Sequence, residues 1–344
     1  MKKIIDISIE EDQSDADNRR KNGEFVRSIS GFRNKIGDND FPAEPDRYHL
    51  FVALNCPWCH RTIIARSILG LKNTISIDVV FPNRTEKGDT KGANKWHFSP
   101  EKKSTLTNST LKECTRETGT GKDLKYVSDI YSLEGSNEQS LPILYDKYSK
   151  RIVSNESSDI VKMFNFNAKQ LGSYYIQKER PNLYPNDKSK EINSLNKKIY
   201  TQINNGAYKA GFSSNQIIYS EAFDKYFEAL SFLETSLENN RRPFLTGDFF
   251  TASDLWLFPT LYRHDPIYFL RMKLNRARII DYPYLWQWLC RVYSLPEVAD
   301  SCSLLHCRQG YFGRSGNCII PIGPEHPMPY PKAYNHPEIV VLKN

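Results

Sequence analysis

The stretch Tyr48-His49-Leu50-Phe51-Val52-Ala53-Leu54-Asn55-Cys56-Pro57-Trp58-Cys59-His60 decides the fold. Its first half is a short apolar run, which is typical of a buried strand. Pro57 suits the first position of a helix, because that position needs no backbone N–H. Apolar residues at helical spacing then continue as far as Leu71. The stretch therefore predicts a strand that passes directly into a helix, with Cys56 at the junction.

Further strands and a second helix extend this unit. Residues 75–80 predict a strand parallel to the first and reached by a right-handed crossover. Residues 141–145 and 151–153 flank a polar turn and predict a hairpin. Asn155-Glu156-Ser157-Ser158 supplies capping side chains to a helix that follows. This order of strand, helix, strand, hairpin and helix predicts a thioredoxin-like α/β domain.

The rest of the chain divides by composition, and its 344 residues predict about two domains. Residues 1–45 are polar and predict an N-terminal arm with few side chains to bury. The thioredoxin-like domain is expected over 46–175, with an insertion of loops and irregular structure over 82–139. Residues 185–318 predict an all-helical domain, and the proline-rich residues 319–344 predict an extended tail.

Four amphipathic segments support the helical domain. Thr251 and Asp254 predict a capping pair at the start of the third, and the fourth is expected to stop before Pro296. Apolar residues recur at helical spacing in the others, and they are expected to form a core. These residues are Ile192, Leu195, Ile199 and Ile203; Phe223, Tyr226, Phe227, Leu230, Leu233 and Leu237; and Leu285, Trp288, Leu289 and Val292.

Charge and cysteine content narrow the function. Lys and Arg outnumber Asp and Glu by 47 to 40, but they are scattered among acidic residues, which favours mildly anionic ligands over nucleic acid. No apolar stretch reaches the ~18 residues of a membrane span. Residues 1–11 are too acidic for an export signal. We therefore expect a cytoplasmic protein with reduced cysteines and with no nucleic-acid or membrane partner.

The thiols of Cys56 and Cys59 carry the sharpest chemical signal. A thiol in the first turn of a helix faces unpaired N–H groups and the positive end of the helix dipole. Both lower the thiol pKa below its ordinary value of ~8.5, so Cys56 is the predicted nucleophile. Cys59 lies three residues further on and is a candidate resolving thiol, which allows a dithiol cycle.

Three other interpretations of the Cys56 motif stay open. Cys-x-x-Cys-His is also the attachment pattern of c-type haem, which normally requires export. Zinc would need a second ligand pair, for which Cys302, His306 and Cys307 are candidates, but a helix start does not suit a closed site. The two cysteines could also be small buried hydrophobes, which leaves the Pro-Trp between them unexplained. We expect no metal.

Two elements further along the chain fit a peptide-like thiol ligand. Pro142 stands at the start of a strand, where a cis bond to Leu141 would aim the neighbouring backbone at such a ligand. Glu156 and Ser157 stand at a predicted helix N-terminus, which can hold a carboxylate such as that of a γ-glutamyl group. Simple helix capping is the alternative role for these two residues.

Several segments, taken in order, carry a family resemblance. They are Cys56-Pro57-Trp58 with His60-Arg61-Thr62; Leu141-Pro142-Ile143-Leu144; Ile152-Val153-Ser154-Asn155-Glu156-Ser157-Ser158; Asn204-Asn205-Gly206-Ala207-Tyr208-Lys209-Ala210-Gly211-Phe212; and Phe258-Pro259-Thr260-Leu261 with Arg263 and Asp265-Pro266-Ile267-Tyr268. Together they resemble the glutathionyl-hydroquinone reductases, the Xi class of glutathione transferases, whose neighbours include the fungal omega-like transferases. The resemblance spans about residues 40–324.

The resemblance implies a glutathione transferase architecture, in which a thioredoxin-like domain precedes an all-α domain, usually in a homodimer. It implies glutathione as cosubstrate and quinol-type small molecules as partners. In the family reaction a cysteine thiolate removes glutathione from a glutathionyl-hydroquinone through a mixed disulfide, with thioltransferase or dehydroascorbate reductase activity as side reactions. The family roles carry over to Cys56 as nucleophile, to Trp96, Ile143 (through its backbone), Glu156 and Ser157 for glutathione, and to Tyr208 and Tyr311 for the hydroquinone.

Three residues depart from the family pattern. Cys59 replaces an alanine, and Gly310 replaces a histidine beside Tyr311. Glu138 replaces an arginine and would repel a ligand carboxylate if it pointed inward. These departures leave two alternatives, a dithiol disulfide oxidoreductase that uses Cys56 and Cys59 and a non-catalytic ligand-binding or interaction module on the same fold.

Overall fold

A computed structural model describes most of the chain. The described ranges are 20–84, 95–98, 113–175, 181–295, 298–313 and 319–323. Much of the predicted arm, insertion and extended tail therefore lies outside the described residues, and so does Pro296. The predictions made for those parts are not tested.

A four-stranded sheet occupies the centre of the first half. The strands among the described residues are β1 (Arg20–Lys21), β2 (Glu24–Phe25), β3 (Tyr48–Val52), β4 (Ser76–Val79), β5 (Ile143–Asp146) and β6 (Arg151–Ser154). The sheet has the order β4-β3-β5-β6, in which β3 is parallel to β4 and antiparallel to β5, while β1 and β2 form a separate hairpin. The predicted parallel pairing of β3 with β4 and the predicted hairpin of β5 and β6 are confirmed.

Helices surround the sheet and make up the second half. In the described ranges the α-helices are α1 (Pro57–Ile68), α2 (Val127–Ser132), α3 (Ser157–Asn167), α4 (Ser189–Lys198), α5 (Asn205–Phe212), α6 (Gln216–Asn240), α7 (Ala252–Arg263), α8 (Phe269–Arg271), α9 (Pro283–Tyr293) and α10 (Leu304–Phe312). π-Helical turns Ile199–Asn204 and His264–Tyr268 join α4 to α5 and α7 to α8, and short 3-10 turns cover Asn186–Lys188, Ile279–Asp281 and Ala299–Ser301.

We call the elements from β3 to α3 the sheet half and those from α4 to α10 the helical half. In the part of the chain that the structure describes, a four-stranded mixed sheet is followed by helices without further strands, which confirms the predicted fold class. The domain boundaries given above stay a prediction. No helix among the described residues is long and apolar enough to cross a membrane.

Helix α1 lies between the two halves. It packs against α3 of the sheet half and α7 of the helical half, so every one of its residues except Trp58 is buried. Gly70 lets the chain turn sharply after the helix, because its φ of +74° suits glycine and a Cβ there would lie 2.8 Å from the ring of Tyr175. The contacts of α1 therefore fix Cys56, which stands directly before it, relative to both halves.

The expectation that the arm buries little is wrong for its described part. Phe25, Ile36 and Phe41 are all buried. The ring of Phe25 packs on the helical half, 5.7 Å from the ring of Phe212. These apolar residues are isolated in a polar segment, so no local periodicity signals them, and their burial comes from partners far along the chain.

The expectation of loops alone over 82–139 is wrong at its end, where α2 forms. This helix buries Val127, Ile130 and Tyr131 beside the sheet. The Val127 N–H donates to the Trp96 carbonyl at 3.0 Å, which ties α2 to the preceding segment. Six residues are too few for a helical pattern to stand out in the sequence.

The predicted capping pair at the start of α7 is confirmed and extended. The Thr251 N–H donates to Asp254 Oδ2 at 2.9 Å. Asp254 Oδ1 also accepts from the Leu245 N–H at 3.0 Å and from the Trp288 indole N–H at 2.8 Å. Asp254 is fully buried, so this carboxylate joins the start of α7 to α9 inside the core of the helical half.

Candidate active site

Cys56 stands at the N-terminus of α1, where the sequence places the nucleophile. Its backbone is extended (φ −82°, ψ 122°), and its carbonyl accepts the first bond of the helix from the His60 N–H at 3.0 Å. The half-buried thiol points to the Leu141 carbonyl, with Sγ 3.9 Å from the oxygen. The Leu141–Pro142 peptide is cis, as the sequence suggested, and it lies beside the thiol.

The surroundings of Cys56 favour its thiolate. Burial alone raises the pKa of this thiol, but the Cys59 side chain, the N–H groups of Cys59 and Trp58 and the Arg263 guanidinium outweigh burial and lower the pKa to about 6. The effect expected from the helix N-terminus is therefore present, and a neighbouring thiol and a buried cation add to it.

Cys59 has the opposite character. It is fully buried in α1, and burial together with the Cys56 charge raises its pKa well above the ordinary value. Cys59 therefore keeps its proton at neutral pH. A protonated thiol can donate a hydrogen bond to the Cys56 thiolate, which favours a supporting role for Cys59 over that of a second nucleophile.

Arg263 connects the helical half to the loop that carries Cys56. Its fully buried guanidinium donates to the carbonyls of Leu54 at 2.8 Å and Asn55 at 3.1 Å. A third bond, 3.0 Å long, joins it to Nδ1 of His60 in the first turn of α1. The sequence singled out Arg263 within a motif but gave it no role. The structure makes it a residue that positions the Cys56 loop and helps to lower the thiol pKa.

We expect Cys56 to react with iodoacetamide as a thiolate well below pH 8. Because its folded pKa is lowered to about 6, the rate should rise through pH 6 and be nearly maximal at pH 7, where roughly 90% is thiolate. The measurement is the alkylation rate against pH, with the Cys56→Ser variant as the blank. Burial raises the pKa of the half-buried Cys114 to about 12, so that thiol should not interfere. A midpoint at or above the ordinary ~8.5 would contradict this prediction.

Three tyrosine hydroxyls form a cluster in the helical half. The Tyr311 hydroxyl lies 2.6 Å from that of Tyr208 and 3.2 Å from that of Tyr268. Burial raises the pKa of all three, so they stay protonated and can donate hydrogen bonds. The Cys56 charge also raises the pKa of Tyr208. The structure thus brings Tyr208 and Tyr311 together and adds Tyr268, which the sequence left without a role.

The N-terminus of α3 forms the other end of the site. Glu156 caps the helix by accepting from the Ser158 N–H at 3.1 Å, and Ser157 is buried at the first helical position. The second carboxylate oxygen of Glu156 accepts from the Ser30 hydroxyl at 3.2 Å. Capping is therefore present, and a ligand-binding role for Glu156 and Ser157 stays a prediction.

Glu138 is engaged by the arm and by a neighbouring amide. Its carboxylate accepts from the Gly31 N–H at 3.1 Å and from the Asn155 side-chain amide at 2.5 Å. A Cβ at Gly31 would lie 2.3 Å from the Glu138 oxygen, so a larger residue there would displace this carboxylate. Glu138, which stands where the family has an arginine, therefore binds the arm to the sheet half.

The two remaining residues of the expected glutathione set lie in the core. Ile143 is fully buried at the start of β5, opposite Phe51 of β3. Trp96 is buried with its ring 4.5 Å from the Arg84 guanidinium, and its described contacts do not include Cys56. Their roles toward glutathione stay predictions.

Two arginines contact the ring of Trp58, the half-buried residue of α1. The Arg27 guanidinium lies 4.3 Å from the Trp58 ring centre, and Arg61 lies 4.5 Å from it. Arg61 also stacks 4.4 Å from Trp256 and donates to the Asn204 side chain. Nothing local in the sequence signals Arg27, because its neighbours are distant in the chain.

Cys302, His306 and Cys307 are the residues that the sequence offered as a second set of zinc ligands. Cys302 Sγ is 3.5 Å from His60 Nε2, and Cys307 Sγ is 3.8 Å from the Leu54 carbonyl. His306 pairs with Glu113 at 3.0 Å. In the part of the chain that is described, no three His, Cys, Asp or Glu side chains are grouped as metal ligands.

Known proteins share this arrangement over most of their length. Residues 216–291 match the family described as glutathione S-transferase, C-terminal domain. The chain is 37% identical to a glutathionyl-hydroquinone reductase of Escherichia coli (strain K12) over 322 residues, 89% of each chain. A glutathione-bound glutathione transferase homologue from E. coli K-12 superposes with a TM-score of 0.76 at 35% identity, covering 88% of this chain and 95% of that one. A Xi glutathione transferase from Phanerochaete chrysosporium gives 0.74 at 33% identity, covering 88% and 93%.

Proposed function

This chain belongs to the glutathionyl-hydroquinone reductases, the Xi class of glutathione transferases, and on that premise we propose that it removes glutathione from glutathionyl-hydroquinones. It is an enzyme with glutathione-dependent activity. Glutathione is the cosubstrate, and the proposed products are the free hydroquinone and oxidised glutathione. Thioltransferase and dehydroascorbate reductase activities are proposed as side reactions.

The proposed reaction has two steps. The Cys56 thiolate attacks the glutathione sulfur of the adduct in its ketone tautomer, so that the sulfur–carbon bond breaks and a mixed disulfide forms. The electron pair of the broken bond moves through the ring to the ketone oxygen, which takes a proton, and the ring becomes the aromatic hydroquinone. A second glutathione thiolate then attacks the mixed disulfide, releases oxidised glutathione and restores Cys56. One adduct and one glutathione thus give one hydroquinone and one disulfide.

The tyrosine cluster supplies the proton chemistry that this reaction needs. Tyr208 is close enough to Cys56 for the thiolate charge to raise the tyrosine pKa. A protonated hydroxyl beside the ring oxygen would assist the ketone tautomer and the return of a proton. The observation that carries the proposal is this pairing of a thiol whose pKa is about 6 with buried, protonated tyrosine hydroxyls.

The test is turnover of 2-glutathionyl-hydroquinone with excess glutathione. We expect the unmodified protein to release hydroquinone and oxidised glutathione in equal amounts, measured by liquid chromatography. Omitting the second glutathione should stop the reaction after one turnover, with a glutathione adduct on Cys56 detectable by mass spectrometry. Absence of turnover in a folded protein would contradict the proposed function and favour the non-catalytic alternative.

The oligomeric state and the cellular location of the protein are also proposed here. The resemblance implies a homodimer, and we propose that the chain forms one. A light-scattering mass equal to one chain, 39.9 kDa, would contradict it. The cytoplasmic location expected from the sequence also stays a prediction, which fractionation of the source cells would test.

A further inference from the structure

The N-terminal arm crosses from the helical half to the sheet half beside the candidate site. On the helical half, Phe25 is buried with its ring 6.0 Å from that of Tyr208. On the sheet half, the Ser30 hydroxyl donates to Glu156 at 3.2 Å. Arg27 lies between these two fixed points. The arm therefore holds Arg27 between the tyrosine cluster and the N-terminus of α3.

The positive charge of Arg27 has no carboxylate partner among the described residues. Its guanidinium carbon lies 4.3 Å from the ring centre of Trp58 and 5.2 Å from that of Tyr208. Nε donates to the Asn205 side chain at 3.3 Å. Nη2 is buried without a hydrogen-bond partner, and no carboxylate of the described residues pairs with the group. A buried N–H without an acceptor is costly, so this geometry favours an acceptor from a bound ligand.

Two arginines near Arg27 have no buried nitrogen without a hydrogen-bond partner among the described residues. Arg61, whose guanidinium carbon lies 4.5 Å from the Trp58 ring centre, donates to the Asn204 side chain. Arg33, six residues further along the arm, pairs with Asp159. Both of these arginines have partners within the protein, whereas Arg27 has an unused donor beside the tyrosine cluster.

We propose that Arg27 determines acceptor specificity by binding a carboxylate on the aromatic ring of the substrate. A planar guanidinium matches a carboxylate with two parallel hydrogen bonds. The anion is assigned to the acceptor ring because Arg27 contacts Tyr208, whereas the arm meets Glu156, at the expected glutathione end, through Ser30. The inference rests on the proposed function and narrows its substrates to glutathionyl-hydroquinones with an acidic ring substituent.

The experiment compares two matched substrates on one protein. They are the glutathionyl adducts of 2,5-dihydroxybenzoate and of its methyl ester, which differ by one charge on the ring. We expect the unmodified protein to favour the acid in kcat/KM by about tenfold or more, as for a desolvated charge pair. Arg27→Met should bring the ratio of acid to ester close to one, and Arg27→Lys should restore part of it. Because both substrates are assayed with the same enzyme preparation, the ratio of their kcat/KM values does not depend on the fraction of active protein.

A charge variant elsewhere on the arm is the control. Lys35 is exposed, so Lys35→Met removes one positive charge from the arm without touching the site, and the ratio should be unchanged. An equal ratio in the unmodified protein and in Arg27→Met would overturn the proposal. If Arg27→Met lowers kcat/KM for both substrates by the same factor, so that their ratio is unchanged, Arg27 binds a carboxylate of glutathione instead. That result would also overturn the proposal.

A binding measurement separates this proposal from the proposed function. If the unmodified protein turns over neither adduct, the proposed function fails, but the anion site can still be tested without chemistry. The Cys56→Ser protein should bind 2,5-dihydroxybenzoate about tenfold more tightly than its methyl ester by calorimetry, and Arg27→Met should abolish the difference. Equal binding of acid and ester would overturn the proposal.

Discussion

Replacing Cys56 with serine is expected to lower turnover of glutathionyl-hydroquinone at least about a thousandfold, because the hydroxyl cannot form the mixed disulfide. Serine keeps the size of the side chain, so the fold should be retained. The measurement is steady-state release of hydroquinone by the variant beside the unmodified protein. Residual turnover within tenfold of that of the unmodified protein would show that Cys56 is not the nucleophile.

Cys59→Ala is the matched control, and it decides between one-thiol and two-thiol chemistry. Cys59 is buried, and its pKa is raised, so it should not act as the resolving nucleophile. We expect turnover to persist, with the midpoint of Cys56 alkylation shifted upward because the hydrogen bond from Cys59 is lost. Loss of turnover in Cys59→Ala, with the fold intact, would instead support the dithiol oxidoreductase.

Asp254→Ala is expected to destabilise the protein by about 3–5 kcal/mol, since it removes a helix cap and leaves buried N–H groups without an acceptor. The orphaned donors are the N–H groups of Thr251 and Leu245 and the indole of Trp288. The measurement is the free energy of unfolding in urea, followed by circular dichroism. Asp254→Asn keeps an acceptor oxygen and should lose less.

An exposed carboxylate of the helical half provides the control for this prediction. Glu221 pairs with Lys225 at the surface of α6, 4.0 Å apart, with both side chains mostly exposed. Surface pairs of this kind contribute about 0–1 kcal/mol. Glu221→Ala should therefore change the free energy of unfolding little. A loss below about 1 kcal/mol in Asp254→Ala would show that the buried network stabilises the fold less than its geometry indicates.

The parts of the site that the sequence predicted depend on local signals. The apolar run before Cys56 and Pro57 after it define a strand and a helix start within a dozen residues. Thr251 and Asp254 likewise reveal a helix start through their spacing alone. In each case neighbouring residues in the chain mark the start of the helix, so one sequence is sufficient to locate it, although Arg263 and Trp288 add contacts from far along the chain.

The parts that the sequence missed depend on partners far apart in the chain. Arg27 and Phe25 meet side chains of α1 and α5, and nothing in the polar arm indicates these partners. Tyr268 stood in a quoted motif, but only the folded chain shows its hydroxyl 3.2 Å from that of Tyr311. Glu138 appeared as a departure from a pattern, and its bond to Gly31 becomes visible only when the arm is in place.

The buried bonds of Arg263 have a consequence for how this protein can be recombined. Because the guanidinium of a residue in the second half holds the carbonyls of Leu54 and Asn55 in the first, the two halves are not interchangeable parts. A hybrid that joins the first half to a helical half without this arginine would remove the guanidinium donor from both carbonyls and would deprive the thiol at position 56 of a nearby cation. A working hybrid of two related proteins must therefore take this arginine and the loop before α1 from the same parent sequence.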